Sequence, residues 1–203
     1  MTSVLNNILG IDCPIELAKQ EERISKLNAK ELYELGLLNS WDAGCFASLQ
    51  KIHAYLFGEI YRFAGHLRSV NIAKGNFRFA SVMFLEASLQ HIDMMPQSTF
   101  EQIMEKYVEM NVAHPFCEGN GRSTRIWLDC MLKQELGLVV DWSRVDKNDY
   151  LMAMERSPIK DIEIKHVIKQ ALTDQTEDRA LYMKGIDHSY SYEGYSEYKT
   201  ENL

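Results

Sequence analysis

The residues from His114 to Arg125, HPFCEGNGRSTR, combine side chains that suit the transfer of a phosphate-linked group. An imidazole ordinarily titrates near neutral pH, so His114 is expected to accept a proton from an attacking hydroxyl. Gly119 and Gly121 flank Asn120 and let the backbone approach a ligand, so that successive N–H groups form an anion-binding nest. The run therefore predicts a phosphate site with a general base beside it.

Two arginines and a carboxylate extend this site. Arg122 and Arg125 are three residues apart on a predicted helix, so both emerge on one face and present planar forks to a polyphosphate. Glu118 is an oxygen ligand at the place where a phosphate-bound Mg²⁺ would lie. From the residues alone we infer a nucleotide-dependent transferase with His114 as its base.

Helices are predicted on both sides of the run. Residues 101–113 have amphipathic spacing, and Ser98 stands three residues before Glu101, which indicates a capping box. Residues 123–136 form a second predicted helix with Gly137 as its C-terminal stop. The site therefore lies on a loop leading into a helix N-terminus, where free N–H groups and the helix dipole favour an anion.

Composition limits the class of protein. A chain of 203 residues is long enough for one domain with a full core. The formal charge of −7, without a lysine or arginine block, argues against nucleic acid, and no apolar run approaches the ~20 residues of a membrane span. The four cysteines lack C-x-x-C spacing, so free thiols in a reducing, cytoplasmic protein are expected. They are Cys13, Cys45, Cys117 and Cys130.

Most of the remaining chain has helical spacing. The charged stretch 15–35 is predicted to form two helices, and Ser40 to cap a third whose apolar stripe faces the core. His53 on that third helix is interpreted as a hydrogen-bonded structural residue. The other predicted helices are 86–95, one capped by Asp146, one from Ser157 to about Leu172, and 178–192 with a stop at Gly194.

Residues 65–80 have a different pattern. β-type residues at 69–72 and 77–79 flank the turn Lys74-Gly75-Asn76, which predicts a short hairpin in a helical chain. An ordinary connection is the alternative interpretation.

The run HPFCEGNGRSTR resembles the Fic signature, H-x-F-x-[D/E]-G-N-G-R-x-x-R, at every fixed position. Fic proteins are typically all-α enzymes that transfer AMP from ATP to a hydroxyl of a target protein. The resemblance implies one all-α Fic domain over residues 1–203, a helical bundle with a short β-hairpin flap. Its expected parts are N-terminal helices 1–48, a Fic core 49–172 and a C-terminal inhibitory helix 178–194.

Each signature residue gains a role from this resemblance. His114 would be the general base, Phe116 would pack the loop against the core, and Glu118 would hold Mg²⁺. Asn120 and the glycine amides would hold the inner phosphates, and the two arginines the distal ones. The residues expected to bind ATP are Lys74, Gly75, Asn76, Phe77, Glu118, Gly119, Asn120, Gly121, Arg122, Arg125 and Tyr150.

The hairpin at about 70–80 stands where Fic proteins have a flap beside the active site. Its exposed edge would pair with an extended segment of the target protein, so the target would be bound by strand addition. Neither a nucleic acid nor a membrane is an expected partner.

The C-terminal residues Ser189, Glu193 and Gly194 match [S/T]-x-x-x-E-[G/N], the pattern of the Fic inhibitory helix in its class III position. Glu193 is expected to pair with Arg125 and remove the fork that the γ-phosphate needs. The resemblance also implies a homo-oligomer, and Glu193 could position water to remove AMP from a modified target. Candidate self-modification sites are Tyr190, Tyr192 and Tyr195.

Three alternatives stay open. The Doc-type branch transfers the γ-phosphate, but it has lysine where Gly121 stands here. Transfer of phosphocholine is compatible with the motif. A silent nucleotide-binding module is the third, and the intact His114, Glu118 and Arg125 argue against it.

Overall fold

The structure is a computed structural model that describes residues 4–75 and 77–203. Asn76, one of the predicted ATP-binding residues, lies outside the described residues. Within these ranges the helices are α1 (Pro14–Glu34), α2 (Phe46–Phe57), α3 (Val82–Met94), α4 (Phe100–Ala113), α5 (Asn120–Leu136), α6 (Lys147–Arg156), α7 (Ile162–Gln170) and α8 (Arg179–Ser191). The antiparallel pairs are β1 (Ala73–Lys74) with β2 (Phe77–Arg78), and β3 (Val139–Val140) with β4 (Leu172–Thr173). The prediction of an all-α fold with one short hairpin at 70–80 is confirmed, and the β3–β4 pair is an addition to it.

Helix α5 occupies the core and packs against both α2 and α4. The predicted apolar stripe of α2 is buried through Leu49, Ile52 and Leu56. Trp127 of α5 is fully buried, and its indole N–H donates to the carbonyl of Cys45 at 3.1 Å. Since burial of such a side chain is worth roughly 1.5–3 kcal/mol, this packing fixes α5, whose first turn carries the signature glycines.

The prediction of two helices within 15–35 is wrong, because α1 is continuous from Pro14 to Glu34. Proline stands at its start and no glycine interrupts it until Gly36, which adopts φ 66°. Three charged residues of α1, Glu21, Glu22 and Lys26, are buried and take part in ion pairs.

Two helix starts also differ from prediction. Ser40 does not cap α2: its hydroxyl donates to the carbonyl of Leu37 in a short 3₁₀ turn, and α2 begins after Cys45. Helix α3 begins at Val82, four residues before the predicted start, with Ser81 in the extended conformation before it.

Side-chain caps explain two further corrections. Thr99, not Ser98, caps α4 by accepting from the N–H of Gln102 at 3.3 Å. Ser157 does not begin α7: its hydroxyl donates back to a carbonyl three residues earlier and ends α6, and α7 starts only at Ile162.

The chain after α7 returns across α1. Asp178 caps α8 through the N–H of Leu181, as the predicted helix start requires. The helix ends at Ser191, short of the predicted stop at Gly194, so Glu193 lies in the turn that follows. In the described part of the chain, every helix is too short or too polar to cross a bilayer.

Candidate active site

The signature loop is held between α4 and α5 by its own backbone and one side chain. His114 ends α4 in the left-handed conformation with φ 47°, and Gly119 precedes α5 with φ 74°. The Asn120 carboxamide closes the loop, since its Oδ1 accepts from the N–H of Phe116 at 2.9 Å and its Nδ2 donates to the carbonyl of Phe116 at 2.8 Å. The Phe116 side chain is fully buried, as expected.

Helix α5 begins at Asn120, three residues earlier than predicted, so the glycine nest is its first turn. Within the described residues, the backbone N–H groups of Asn120, Gly121 and Arg122 have no acceptor. These donors and the positive end of the helix dipole form an anion site. Both polar atoms of the Asn120 side chain are hydrogen-bonded to Phe116, so Asn120 can bind a phosphate only through its backbone N–H.

The His114 imidazole is oriented as a proton acceptor. Its Nδ1 lies 3.3 Å from the carbonyl of Asn111, which can only accept, so the ring proton belongs on Nδ1 and Nε2 carries the lone pair. The ring stacks on Phe79 with centroids 3.6 Å apart. Burial lowers the pKa of His114 to about 4, and the charges of Arg68 and Lys74 add to this effect. The imidazole is therefore neutral, and able to act as a base, at neutral pH.

His53 supports the loop from beneath, in agreement with its interpretation as a structural residue. Its Nδ1 accepts from the N–H of Gly65 at 2.9 Å, which leaves Nε2–H to donate to the carbonyl of Glu118 at 2.8 Å. The ring stacks on Phe116 at 3.8 Å, and burial lowers its pKa to about 4. His53 thus fixes the backbone of the candidate metal ligand.

Glu118 projects a half-exposed carboxylate beside the nest. One oxygen accepts from the N–H of Gly119 at 2.9 Å and lies 3.3 Å from Nη2 of Arg122. Across residues 4–75 and 77–203 there is no cluster of three or more potential metal-ligating side chains. Mg²⁺ fits such a site, because it commonly uses one or two carboxylates and completes its shell with phosphate oxygens and water.

A cavity of about 670 Å³ opens over these groups. This volume lies within the ~300–1,000 Å³ of typical ligand pockets. The flap, the signature loop, α6 and the C-terminal turn all contribute walls. Its lining includes Lys74, Gly75, Phe77, His114, Glu118, Gly119, Asn120, Gly121, Arg125, Tyr150, Met154 and Glu193.

The flap is a minimal hairpin at the mouth of this cavity. Lys74 pairs with Phe77 and Ala73 with Arg78, around a turn in which Gly75 has φ 57°. Its strands are two residues each, shorter than the predicted β-segments, and mostly exposed.

Tyr150 lines the cavity from α6 and is packed against two other tyrosines. Its ring is buried, its hydroxyl is hydrogen-bonded to that of Tyr107, and Tyr192 from the tail packs 5.3 Å away. The residue predicted to flank adenine therefore also contacts the C-terminal segment.

Arg125 is bound by the tail. Its Nε donates to the hydroxyl of Ser189 at 2.6 Å, and its Nη2 donates to the carbonyl of Ser189 at 2.9 Å. Nη2 also lies 3.3 Å from Oε1 of Glu193. The expected pair between Glu193 and Arg125 is present, and Ser189 supplies two further contacts.

Arg122 is more deeply enclosed than the sequence suggested. Its side chain is fully buried, with Nη1 2.6 Å from Oε1 of Glu21 and Nε 2.7 Å from Oε2 of Glu193. The guanidinium lies 4.7 Å from the ring centroid of Phe57, on the face of that ring. It does not line the cavity, so in this arrangement Arg122 organises carboxylates and does not face a phosphate.

Glu21 is the functional residue that sequence reasoning missed. Burial raises its pKa, but Arg122 and the hydroxyls of Tyr61 and Tyr195 outweigh this effect, and the net pKa is lowered. A signal was available in the sequence: Glu21 shares a 3–4 spaced stripe of α1 with Leu17, Ser25, Asn28 and Leu32, and all five are buried. A carboxylate on such a 3–4 spaced stripe needs a buried cation as its partner.

The tail tyrosines are enclosed together with the arginines. Tyr190 and Tyr192 are buried, and the hydroxyl of Tyr192 donates to the carbonyl of Val145 at 3.1 Å. Tyr195 donates to Glu21 at 2.8 Å. None of these three is presented for modification while the tail is docked.

Comparison with known proteins places this site in a family. Residues 45–132 match the family model described as the Fic/DOC family. The protein adenylyltransferase VbhT of Bartonella schoenbuchensis is 32% identical over 194 residues, which cover 89% of this chain and 39% of VbhT. The probable protein adenylyltransferase y4lH of Sinorhizobium fredii is 29% identical over 168 residues, covering 77% of this chain and 84% of y4lH. The chain thus spans well under half of the length of the first relative.

Among solved structures, the BepC protein of Bartonella tribocorum, determined with bound AMPPNP, has a similar fold. Its TM-score is 0.68 at 20% identity, over 86% of this chain and 94% of BepC. The complete signature on the α4–α5 loop, the family match and the shared fold lead to one conclusion: the chain is a Fic-domain protein of the Fic/DOC family.

Proposed function

We propose that this chain is a protein adenylyltransferase that transfers AMP from ATP to a hydroxyl side chain of a target protein. The observation that carries the proposal is the arrangement of one cavity, in which the His114 imidazole lies beside the unpaired N–H groups at the start of α5. Relatives named protein adenylyltransferases and the AMPPNP-bound BepC support the same substrate.

In the proposed reaction, Nε2 of His114 accepts the proton of the target hydroxyl as that oxygen attacks the α-phosphorus of ATP. An oxygen–phosphorus bond to the target forms, and the bond between the α-phosphorus and its bridging oxygen breaks, so that pyrophosphate leaves. The N–H groups of Asn120 and Gly121 offset the charge on the phosphates. Glu118 would hold Mg²⁺, which supplies further charge neutralisation.

We propose that the C-terminal segment restrains this reaction. Glu193 contacts both signature arginines, and Ser189 takes two donors of Arg125. A γ-phosphate would have to replace these contacts, because Arg125 is the distal guanidinium that lines the cavity. Release of the segment would also expose the tail tyrosines as candidate sites of self-modification.

The exposed backbone of the flap, at about 70–80, suits a target segment that adds as a strand. A homo-oligomer that holds the tail in place is the arrangement expected of class III proteins. With Glu193 retained at the site, removal of AMP from a modified target is a second reaction to test.

The test is intact-protein and peptide mass spectrometry after incubation with ATP and Mg²⁺, using Glu193→Gly as the released form. A gain of AMP on protein supports the proposal. A gain of one phosphate would instead indicate Doc-type chemistry, and no covalent change with measurable ATP binding would indicate a binding module. His114→Ala in the same background should abolish the gain of AMP.

A further inference from the structure

A buried guanidinium, that of Arg68, lies next to the site and does not line the cavity. Arg68 is 2% exposed. Its Nε donates to the carbonyl of His114 at 2.7 Å and its Nη1 to that of Val70 at 2.8 Å. Its Nη2 donates to the carbonyls of Ala80 and Ala113. One side chain therefore joins the end of α4 to both ends of the flap segment.

The charge of Arg68 is stabilised by carbonyl groups. Its side chain takes part in no ion pair among residues 4–75 and 77–203. Ala113 is the last residue of α4, so the guanidinium sits at the negative end of that helix dipole. A buried cation is tolerated only when its hydrogen bonds are satisfied, and here the fork geometry of arginine supplies four.

We propose that Arg68 is the positioning residue that holds the His114 imidazole in its reactive orientation and couples it to the flap. This inference rests on the proposed function. His114 needs support, because its backbone adopts a left-handed φ of 47° and its one side-chain hydrogen bond is long, at 3.3 Å.

The coupling to the flap runs through the ring that stacks on the base. Phe79 packs on the His114 imidazole with centroids 3.6 Å apart, and the next residue, Ala80, gives its carbonyl to Arg68. Arg68 thus fixes both members of the stacked pair. A target strand that pairs with the flap would therefore affect the position of the same guanidinium, because Val70 and Ala80 accept hydrogen bonds from it.

The experiment compares Arg68→Lys and Arg68→Met in the Glu193→Gly background. Lysine keeps the charge but cannot reach four carbonyls, so we expect kcat for AMP transfer to fall by about 100-fold, the effect of a misplaced catalytic group. ATP affinity, measured by calorimetry, should stay unchanged because the α5 amides are untouched. Arg62→Lys, at an exposed position in the same segment, is the matched control.

A second measurement separates positioning from general stability. NMR titration of His114 should give a pKa near 4 in the parent and in Arg68→Lys, whereas Arg68→Met removes a neighbouring charge and should raise it. The acid limb of the rate profile should shift in the same direction. Phe79→Leu leaves Arg68 in place and should also lower kcat without weakening ATP binding.

The proposal is overturned if folded Arg68→Lys transfers AMP at the rate of Arg62→Lys, or if kcat and ATP affinity fall together. If the Arg68 variants do not fold, Phe79→Leu provides the test instead. An unchanged kcat in Phe79→Leu then overturns the proposal. A parent that transfers no AMP would refute the proposed function, while the His114 titration would still report whether Arg68 sets the state of the imidazole.

Discussion

Oε2 of Glu193 lies 2.7 Å from Nε of Arg122, while Oε1 of the same carboxylate lies 3.3 Å from Nη2 of Arg125. The tail carboxylate therefore contacts both signature arginines, and its shorter contact is with the one that does not line the cavity. The sequence predicted an ion pair of Glu193 with Arg125, and the contact with Arg122 is an addition to it. It means that loss of Glu193 changes the charge balance of a buried cluster as well as freeing one phosphate ligand.

Glu193→Gly should increase AMP transfer by roughly tenfold or more, since ~1.4 kcal/mol of lost tail binding corresponds to a factor of ten. The carboxylate is 23% exposed, so its contribution is smaller than that of a fully buried pair. Incorporation of label from ATP radiolabelled at the α-phosphate measures the effect. Asp174→Gly, at an exposed position in the loop before α8, is the control and should change nothing. Equal labelling of the two variants would show that Glu193 does not inhibit AMP transfer.

Glu21→Gln should lower the free energy of unfolding by about 2 kcal/mol, because it leaves the buried Arg122 short of one charge while glutamine keeps some hydrogen bonding. Urea denaturation of this variant and of Glu16→Gln, exposed on the same helix, measures the difference. The pKa of Glu21 is lowered from 4.5 in the folded protein. Its contribution is therefore present above pH 4.5 and lost as the pH falls through the folded value. A difference that stays constant below that range would contradict the ion pair.

The pH dependence of AMP transfer should reflect the lowered pKa of His114. Because the folded pKa is about 4, below the ordinary 6.5, the base form persists into acid, and kcat/KM in Glu193→Gly should fall only near pH 4. His114→Ala should cost about 100- to 10,000-fold, as expected for loss of a general base. His91→Ala, on an exposed face of α3, is the control. An acid limb centred near 6.5 would show that the imidazole is solvated in the working enzyme.

Gly119→Ala should lower the stability of the protein by more than backbone strain at a positive φ would alone. A Cβ at this position would overlap the ring of Phe57, and the residue also has φ 74°. Gly137→Ala is the matched control, because φ is 64° there and no atom lies within 4 Å of the added Cβ. We expect Gly137→Ala to cost about 1 kcal/mol of stability and Gly119→Ala roughly 2–4 kcal/mol. Thermal unfolding measures both, and equal losses would contradict the close approach of Phe57.

The sequence predicted the loop well because its geometry is local. His114, Gly119 and Gly137 owe their conformations to neighbours in the chain, and the motif spacing places His114 and Gly119 on the loop between α4 and α5. The predicted helix starts were wrong where the capping side chain makes a different hydrogen bond, as Ser157 does with the carbonyl of Met154. Glu21 and its partner Arg122 are 101 residues apart, and only the packing of α1 brings them together.

The residues after Gly194 should hold the inhibitory carboxylate in place. Lys26 of α1 is buried and donates to the carbonyl of Tyr198 at 2.7 Å, and Thr200 donates through its N–H and hydroxyl to Asp187 of α8. This return segment, residues 195–203, thus ties the end of α8 to α1. Deleting it should raise AMP transfer although Glu193 remains, because the docked turn loses its anchor.

Labelling by ATP carrying the radiolabel at the α-phosphate again gives the measurement. Combined with Glu193→Gly, the deletion should add little, since both changes act on the same docked state. Thr200→Val is a milder version that keeps the chain length and removes one donor to Asp187. A deletion protein as inactive as the full chain would show that α8 alone keeps Glu193 on the arginines, and the return segment would then have no part in the restraint.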